Sequence, residues 1–297
     1  MTRRASALAL VATVAAALAA CGSDDDGGGS GGSGGTGGGS SGSGGSATGG
    51  SAGAGGITGG AAGTGGAGGT TDAGATITMS GQVRELQVGG GLGAPIAGVQ
   101  ICLKDAATLP CVTTDPTGKY SIAGIPTNTE GVTLFTKTGY ANMALVGTTG
   151  TTDVIVNQMM PTTALAQTFA TAAGFTWPLA GKSIIGFGTV NETVGDAGPV
   201  LTGVPGAAVA ITPASGKGPV YLGASSLPDT AATATSTAGG GFFGDLPPGM
   251  YTLKVTSPSG MTCVRGKKQG FDAGSTDSMK VLAIADFVIS SVNFLCN

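Results

Sequence analysis

The chain has no histidine, a single tryptophan and few charges: charged residues make up 10% of its 297 positions and aromatics 5%. The missing histidine removes the commonest general base near neutral pH, the Ser–His and Cys–His nucleophile systems, and the commonest zinc ligand. No Ser-x-x-Lys occurs. Gly181-Lys182-Ser183 ends like a phosphate-binding loop, but Thr176 stands where that loop needs glycine. Carboxylates are scattered, and neither Glu192 with Asp196 nor Asp272 with Asp277 makes a strong acid/base pair. Calcium through Asp115 or Asp245 competes with the plainer reading that aspartate in a turn serves the turn. A net charge of −3 without a basic stripe argues against nucleic acid. The one basic cluster, Arg265, Lys267 and Lys268, reads as a solvated loop. The expectation is a non-enzymatic protein with no catalytic residue, no bound metal and no cofactor. A carboxylate or metal enzyme is the remote alternative.

What the chain does have is glycine, 59 residues of it, with 27 packed into residues 22–74. Ahead of that segment, Arg3 and Arg4 precede an apolar run from Ala5 to Ala20 that is too short to span a bilayer. The run ends in Leu18-Ala19-Ala20-Cys21, which resembles a bacterial lipobox. That resemblance implies a signal peptide over residues 1–20, cleavage before Cys21 and a diacylglycerol thioether on its sulfur. Two or more acyl chains anchor stably where one is marginal. An ordinary secretory signal with an incidental cysteine is the alternative. Gly22 rather than Asp follows the cysteine, which points to the outer membrane, on either face. Residues 21–75 cannot bury enough surface to fold. They read as a disordered Gly/Ser tether with an r.m.s. span of roughly 40 Å. Their G-x-S-x-G matches around Ser30 and Ser33 are compositional, because no strand-turn-helix surrounds them.

Beyond the tether, one stretch organises the rest: Thr114 to Pro126, T-D-P-T-G-K-Y-S-I-A-G-I-P. Asp115-Pro116-Thr117-Gly118 is a turn, Tyr120 and Ile122 share a strand face, and Pro126 cannot continue a ladder. The stretch recurs as T-S-T-A-G-G-G-F-F-G-D-L-P at Thr235 to Pro247, with Gly241 where Tyr120 stood. The flanks repeat as well. G-V-Q-I-C-L at 98–103 matches G-A-A-V-A-I at 206–211, and Gly81-Gln82-Val83 matches Gly188-Thr189-Val190. A whole domain is therefore duplicated, with a longer loop near residues 212–232 in the second copy.

The order Gly-x-Val, P-I-A-G-V-x-I, T-D-x-x-G-x-Y-x-I-x-G-I-P and F-T-K-T-G-Y resembles the carboxypeptidase regulatory-like domain. The resemblance implies a transthyretin-like (prealbumin-like, Ig-like) β-sandwich with Greek-key topology. It says little of function, since such sandwiches host many roles. The expected fold is all-β: two tandem sandwiches over 76–160 and 183–297, joined by a connector at 161–182. In that connector, Thr163 to Ala173 reads as a short helix with Leu165 and Phe169 at i, i+4 and Gly174 beyond.

Four cysteines remain, and an exported chain would oxidise them. Three connectivities are open. The within-domain one, Cys102–Cys111 and Cys263–Cys296, is preferred. Met159 and Met160 read as core or edge packing. Trp177, Tyr221 and Tyr140 are the candidate ligand-binding residues, as sugar-stacking rings. For Trp177 the alternative is packing of the helix onto a domain face. The expected function is a structural or protein-interaction module of the cell envelope, its partner an unidentified protein. Carbohydrate binding, with a polysaccharide partner, is the alternative.

Overall fold

Each copy of the turn starts the strand that organises its half of the molecule. The structure is a computed structural model that describes residues 74–87, 92–106, 108–195 and 198–297. The signal peptide, Cys21 and the tether through residue 73 lie outside the described residues. In the first turn, the Asp115 carboxylate accepts the backbone N–H groups of Thr117 and Lys119. Gly118 follows at φ +76°, and its counterpart Gly239 at +63°. A Cβ at either would fall 2.6 Å from Val83 O or 2.4 Å from Thr189 O, so both turns demand glycine.

The first repeat supplies β1 (Thr76–Leu86), β2 (Leu92–Pro95), β3 (Gln100–Leu103), β4 (Val112–Thr113), β5 (Lys119–Pro126) and β6 (Glu130–Thr136). It closes with β7 (Met143–Thr148), β8 (Val154–Ile155) and β9 (Gln158–Met160). The helix α1 (Thr163–Ala172) follows, within a residue of its expected span. The second repeat supplies β10 (Ser183–Gly195), β11 (Gly198–Gly203), β12 (Ala208–Thr212), β13 (Lys217–Leu222), β14 (Pro228–Asp229) and β15 (Gly240–Leu246). It ends with β16 (Gly249–Thr256), β17 (Cys263–Arg265), β18 (Phe271–Asp272), β19 (Ser278–Ala283) and β20 (Val288–Cys296).

These strands form an all-β sandwich architecture in which the two repeats share a sheet. The shared sheet runs β14-β13-β15-β10-β20-β7-β6-β3-β4, with β11 beside β10 and β17 beside β20. One covering sheet, β2-β1-β5 with β8 and β9, packs on the first-repeat part around Ile101, Tyr120, Ile122 and Phe135. The other, β12-β16-β19-β18, packs on the second-repeat part around Phe187, Phe243, Leu253 and Met279. The junction is a short parallel pairing of β20 with β7, Val288 opposite Met143 and Ile289 opposite Ala144. Met143 belongs to the first core and Val288 packs against it, whereas Ala144 and Ile289 belong to the second. Neighbouring strand residues point to opposite faces. The two covering sheets therefore lie on opposite faces of the shared sheet.

The strand pairings of the two halves correspond, with one correction to the register. Met79 pairs with Ile122 and Gly81 with Tyr120 in the first repeat. Ile185 pairs with Phe243 and Phe187 with Gly241 in the second. The register shifts fall at matching places, Ile77/Met79 and Ser183/Ile185. So Gly81 corresponds to Phe187, not to Gly188 as the glycine match suggests. The longer loop of the second copy is also more than a loop. It contains β13 and β14, and β13 pairs with the outer edge of β15.

Both disulfides are present. Cys102 joins Cys111 with Cα atoms 4.4 Å apart, and Cys263 joins Cys296 at 3.9 Å. The second pair sits directly opposite across β17 and β20 and is buried.

Candidate functional site

The connector between the repeats builds one wall of an apolar cavity. The Thr162 hydroxyl caps α1 by accepting the Leu165 N–H at 3.2 Å. At the other end, Gly174 N–H reaches Thr171 O and Phe175 N–H reaches Ala170 O. This is a Schellman ending, and it turns the chain back toward the sheet. Phe175 then lies against Gly244, where a Cβ would sit 2.4 Å from the ring.

One carboxylate fixes that turn. Asp245 Oδ1 accepts the Thr176 N–H at 2.8 Å, and Oδ2 meets Lys217 Nζ at 2.8 Å. Lys217 Nζ also donates to Gly174 O at 2.7 Å. Burial pushes the Asp245 carboxyl up. The Lys217 ammonium and the donors of Thr176 outweigh it and hold the group below its ordinary value.

Between α1 and the face of the shared sheet opposite the second core lies a cavity of ≈ 110 Å³. Ala166, Phe169, Ala170 and Ala173 of the helix line one side, and Phe175 and Trp177 of the connector another. Ile184 and Gly186 of β10, Phe242 of β15 and Val288 of β20 form the floor, and Met143 and Met159 close it from the first repeat. Two of the polar groups at its margin pair with each other and with the backbone. Ser290 Oγ donates to Gln158 Oε1 at 2.9 Å, and Gln158 Nε2 donates to Met159 O at 2.6 Å.

The three candidate rings do not converge. Tyr221 is 2% exposed, its hydroxyl accepting the Val209 N–H and its ring packed edge-on against Phe187 at 5.8 Å. It is a core residue and cannot stack on a ligand at the surface. Tyr140 is half-buried, donates to Glu85 Oε2 at 3.1 Å and lies under the Lys137 ammonium. Burial, then the Glu85 carboxylate, raises its phenol above the ordinary value. Trp177 is half-buried and lines the cavity. Met159 lines it too, while Met160 is fully buried.

Several acidic side chains are engaged singly. Asp115 serves its turn, Asp153 accepts the Thr78 N–H, and Asp286 accepts the Gly181 N–H. Asp272 accepts the Gly274 N–H, and Asp277 accepts from Ser275 and Ser278. Arg265 of the basic cluster faces Asp272 at 3.9 Å. Among the described residues no group of three or more His, Cys, Asp or Glu could hold a metal ion. No helix among them is long and apolar enough to cross a membrane.

No protein-family model matches the sequence, and no curated protein matches it. Solved structures give low-scoring likenesses. The TIE protein of Bacillus anthracis is 13% identical over 75% of this chain and 34% of that one, at a TM-score of 0.23. This chain thus spans about a third of that protein's length. The minor pilin of Streptococcus agalactiae is 12% identical over 74% of this chain and 95% of its own, at 0.24. A candidate carbohydrate-binding protein of Bacteroides uniformis is 9% identical over 70% and 97%, at 0.25. Scores this low do not bear on function, and the fold rests on the strand pairing itself.

Proposed function

We propose that the chain is a non-enzymatic cell-envelope lipoprotein, held by an acylated Cys21 on a glycine-rich tether and acting as a structural or protein-interaction module. In this reading the repeats at 76–160 and 183–297 are carboxypeptidase regulatory-like domains flanking the connector at 161–182. The membrane is the outer membrane, and the partner is a protein. The observation that carries the reading is the continuous sheet through β20 and β7, which makes both repeats one braced body suited to presentation at the end of a tether. The engaged carboxylates support a role without catalysis. The carbohydrate reading loses one of its three candidate rings with Tyr221 in the core.

The test is metabolic labelling with palmitate in a bacterial host, followed by membrane fractionation. The label should appear on the wild-type protein in the outer-membrane fraction and vanish in Cys21→Ala. Unlabelled wild type, or a Cys21→Ala protein in the same fraction, contradicts the anchor. Crosslinking in the envelope should then trap a protein partner.

A further inference from the structure

We propose that the cavity between α1 and the shared sheet is a binding site for one uncharged aromatic ring. This inference does not depend on the lipid anchor. The chemistry comes from the lining. Phe169, Phe175, Trp177 and Phe242 bring rings from the helix, the connector and the sheet. Met143 and Met159 add thioethers, which settle against ring edges and adjust to the shape of a guest. No charged side chain lines the space, Ser290 and Gln158 satisfy each other beside it, and Gln87 contributes one uncharged amide at the exposed rim. A charged guest would lose its hydration and find no charged partner, and a guest with many hydroxyls would find too few polar ones.

Size selects within the apolar class. A cavity of ≈ 110 Å³ is comparable to the dry apolar void of roughly 150 Å³ known to take benzene. It matches one ring and offers the hydroxyl shell of a pyranose few polar partners. The sequence keeps the space open. Ala166, Ala170 and Ala173 fall at i, i+4 and i+7 on the lining side of α1, and Gly186 faces them from β10. Leucine or methionine would serve the helix almost as well as alanine and would fill the void.

Trp177 is the only tryptophan, so its emission reports entry of a guest directly. The full-length chain carrying Cys21→Ala, with disulfides intact, is titrated with toluene, n-hexanol and N-acetylglucosamine. Toluene should shift Trp177 emission saturably and raise the unfolding temperature. The alcohol should bind at least roughly tenfold more weakly, and the sugar should give no response. Ala170→Leu should abolish the toluene response while the variant still unfolds cooperatively. Ala166→Met serves the same purpose if Ala170→Leu does not fold. A non-saturating toluene response, or one that survives a folded filling variant, overturns the site. Hexanol binding as tightly as toluene, or a saturable response to the sugar, overturns the aromatic assignment.

Discussion

The two repeats solve one packing problem with the large and small partners exchanged. In the first, Tyr120 of β5 lies opposite Gly81 of β1. In the second, Phe187 of β10 lies opposite Gly241 of β15. Each glycine is enforced by contact: a Cβ on Gly81 would sit 1.9 Å from Val156 O, and one on Gly241 2.5 Å from the Phe187 ring. The ring fills the same place in each sandwich but comes from the other strand. What duplication has preserved is one large and one small residue per cross-strand pair, not which strand carries which. The hydroxyl travelled separately. Tyr120 donates to Val156 O at 2.8 Å, whereas Phe187 has none and rests on Tyr221 from the inserted β13.

The sharpest way to break the comparison is to exchange the pair in the second repeat. Phe187→Gly should cost about 3–5 kcal/mol by emptying a fully buried ring site. Gly241→Tyr alone should cost at least 1–3 kcal/mol through overlap with Phe187. The double variant should recover part of this, with a coupling energy of at least about 1 kcal/mol by denaturant unfolding. Additive losses would mean that the two positions are not one packing unit.

The disulfides differ next. Cys263–Cys296 closes a sequence separation of 33 and Cys102–Cys111 one of 9. Loop entropy gives roughly 3.8 and 2.7 kcal/mol respectively. Paired Cys→Ala variants should keep that order, and the buried second pair adds the loss of packing to its difference.

A smaller effect tests where the repeats agree. Thr114 Oγ1 accepts the Val99 N–H at 2.9 Å and donates to Ile96 O at 2.8 Å. Thr235 Oγ1 does the same with Ala207 N–H at 3.0 Å and Val204 O at 2.7 Å. Thr114→Val should cost about 1–3 kcal/mol by orphaning two buried backbone groups, and Thr235→Val less, because Val204 O still accepts the Thr189 hydroxyl at 3.0 Å and only the Ala207 N–H is left without a partner.

The smallest effect separates them again. Gly124 at φ +80° and Asp245 at φ +55° occupy matching left-handed positions, and only the aspartate pins the connector. Asp245→Asn should cost about 1–2 kcal/mol at neutral pH, since the Lys217 left behind is well solvated. Because the native carboxyl is held below its ordinary value, its contribution is present above that value and fades as pH falls below about 3.8. The gap between wild type and variant should close on acidification. A gap unchanged once acidification has protonated the folded-state carboxyl would assign the effect to packing.

Legibility in the sequence followed locality. The stretch from Thr114 to Pro126 announced turn, strand and stop because Asp115, Pro116 and Gly118 act on their own neighbours. The helix was readable for the same reason, from Leu165, Phe169 and Gly174. Residues 212–232 misled because Pro213, Gly216, Gly218 and Pro219 are turn residues by composition. Only the free edge of β15 recruits Lys217–Leu222 as a strand. The one-residue register error came from matching glycine to glycine where the aromatic had changed strands. Tyr221 looked available as a surface ring because burial by an inserted strand leaves no local mark. The cavity was invisible for a related reason: Ala166, Ala170 and Ala173 read as good helix formers, and nothing nearby shows that their small size leaves a space.

Pairing of β20 with β7 should make both repeats one cooperative body. Calorimetry of the full-length chain, wild type and Gly81→Ala, tests it most directly. The account predicts one transition with equal calorimetric and van't Hoff enthalpies, moved as a whole to lower temperature by a substitution that touches only the first repeat. Two transitions, with only one of them displaced, would contradict it.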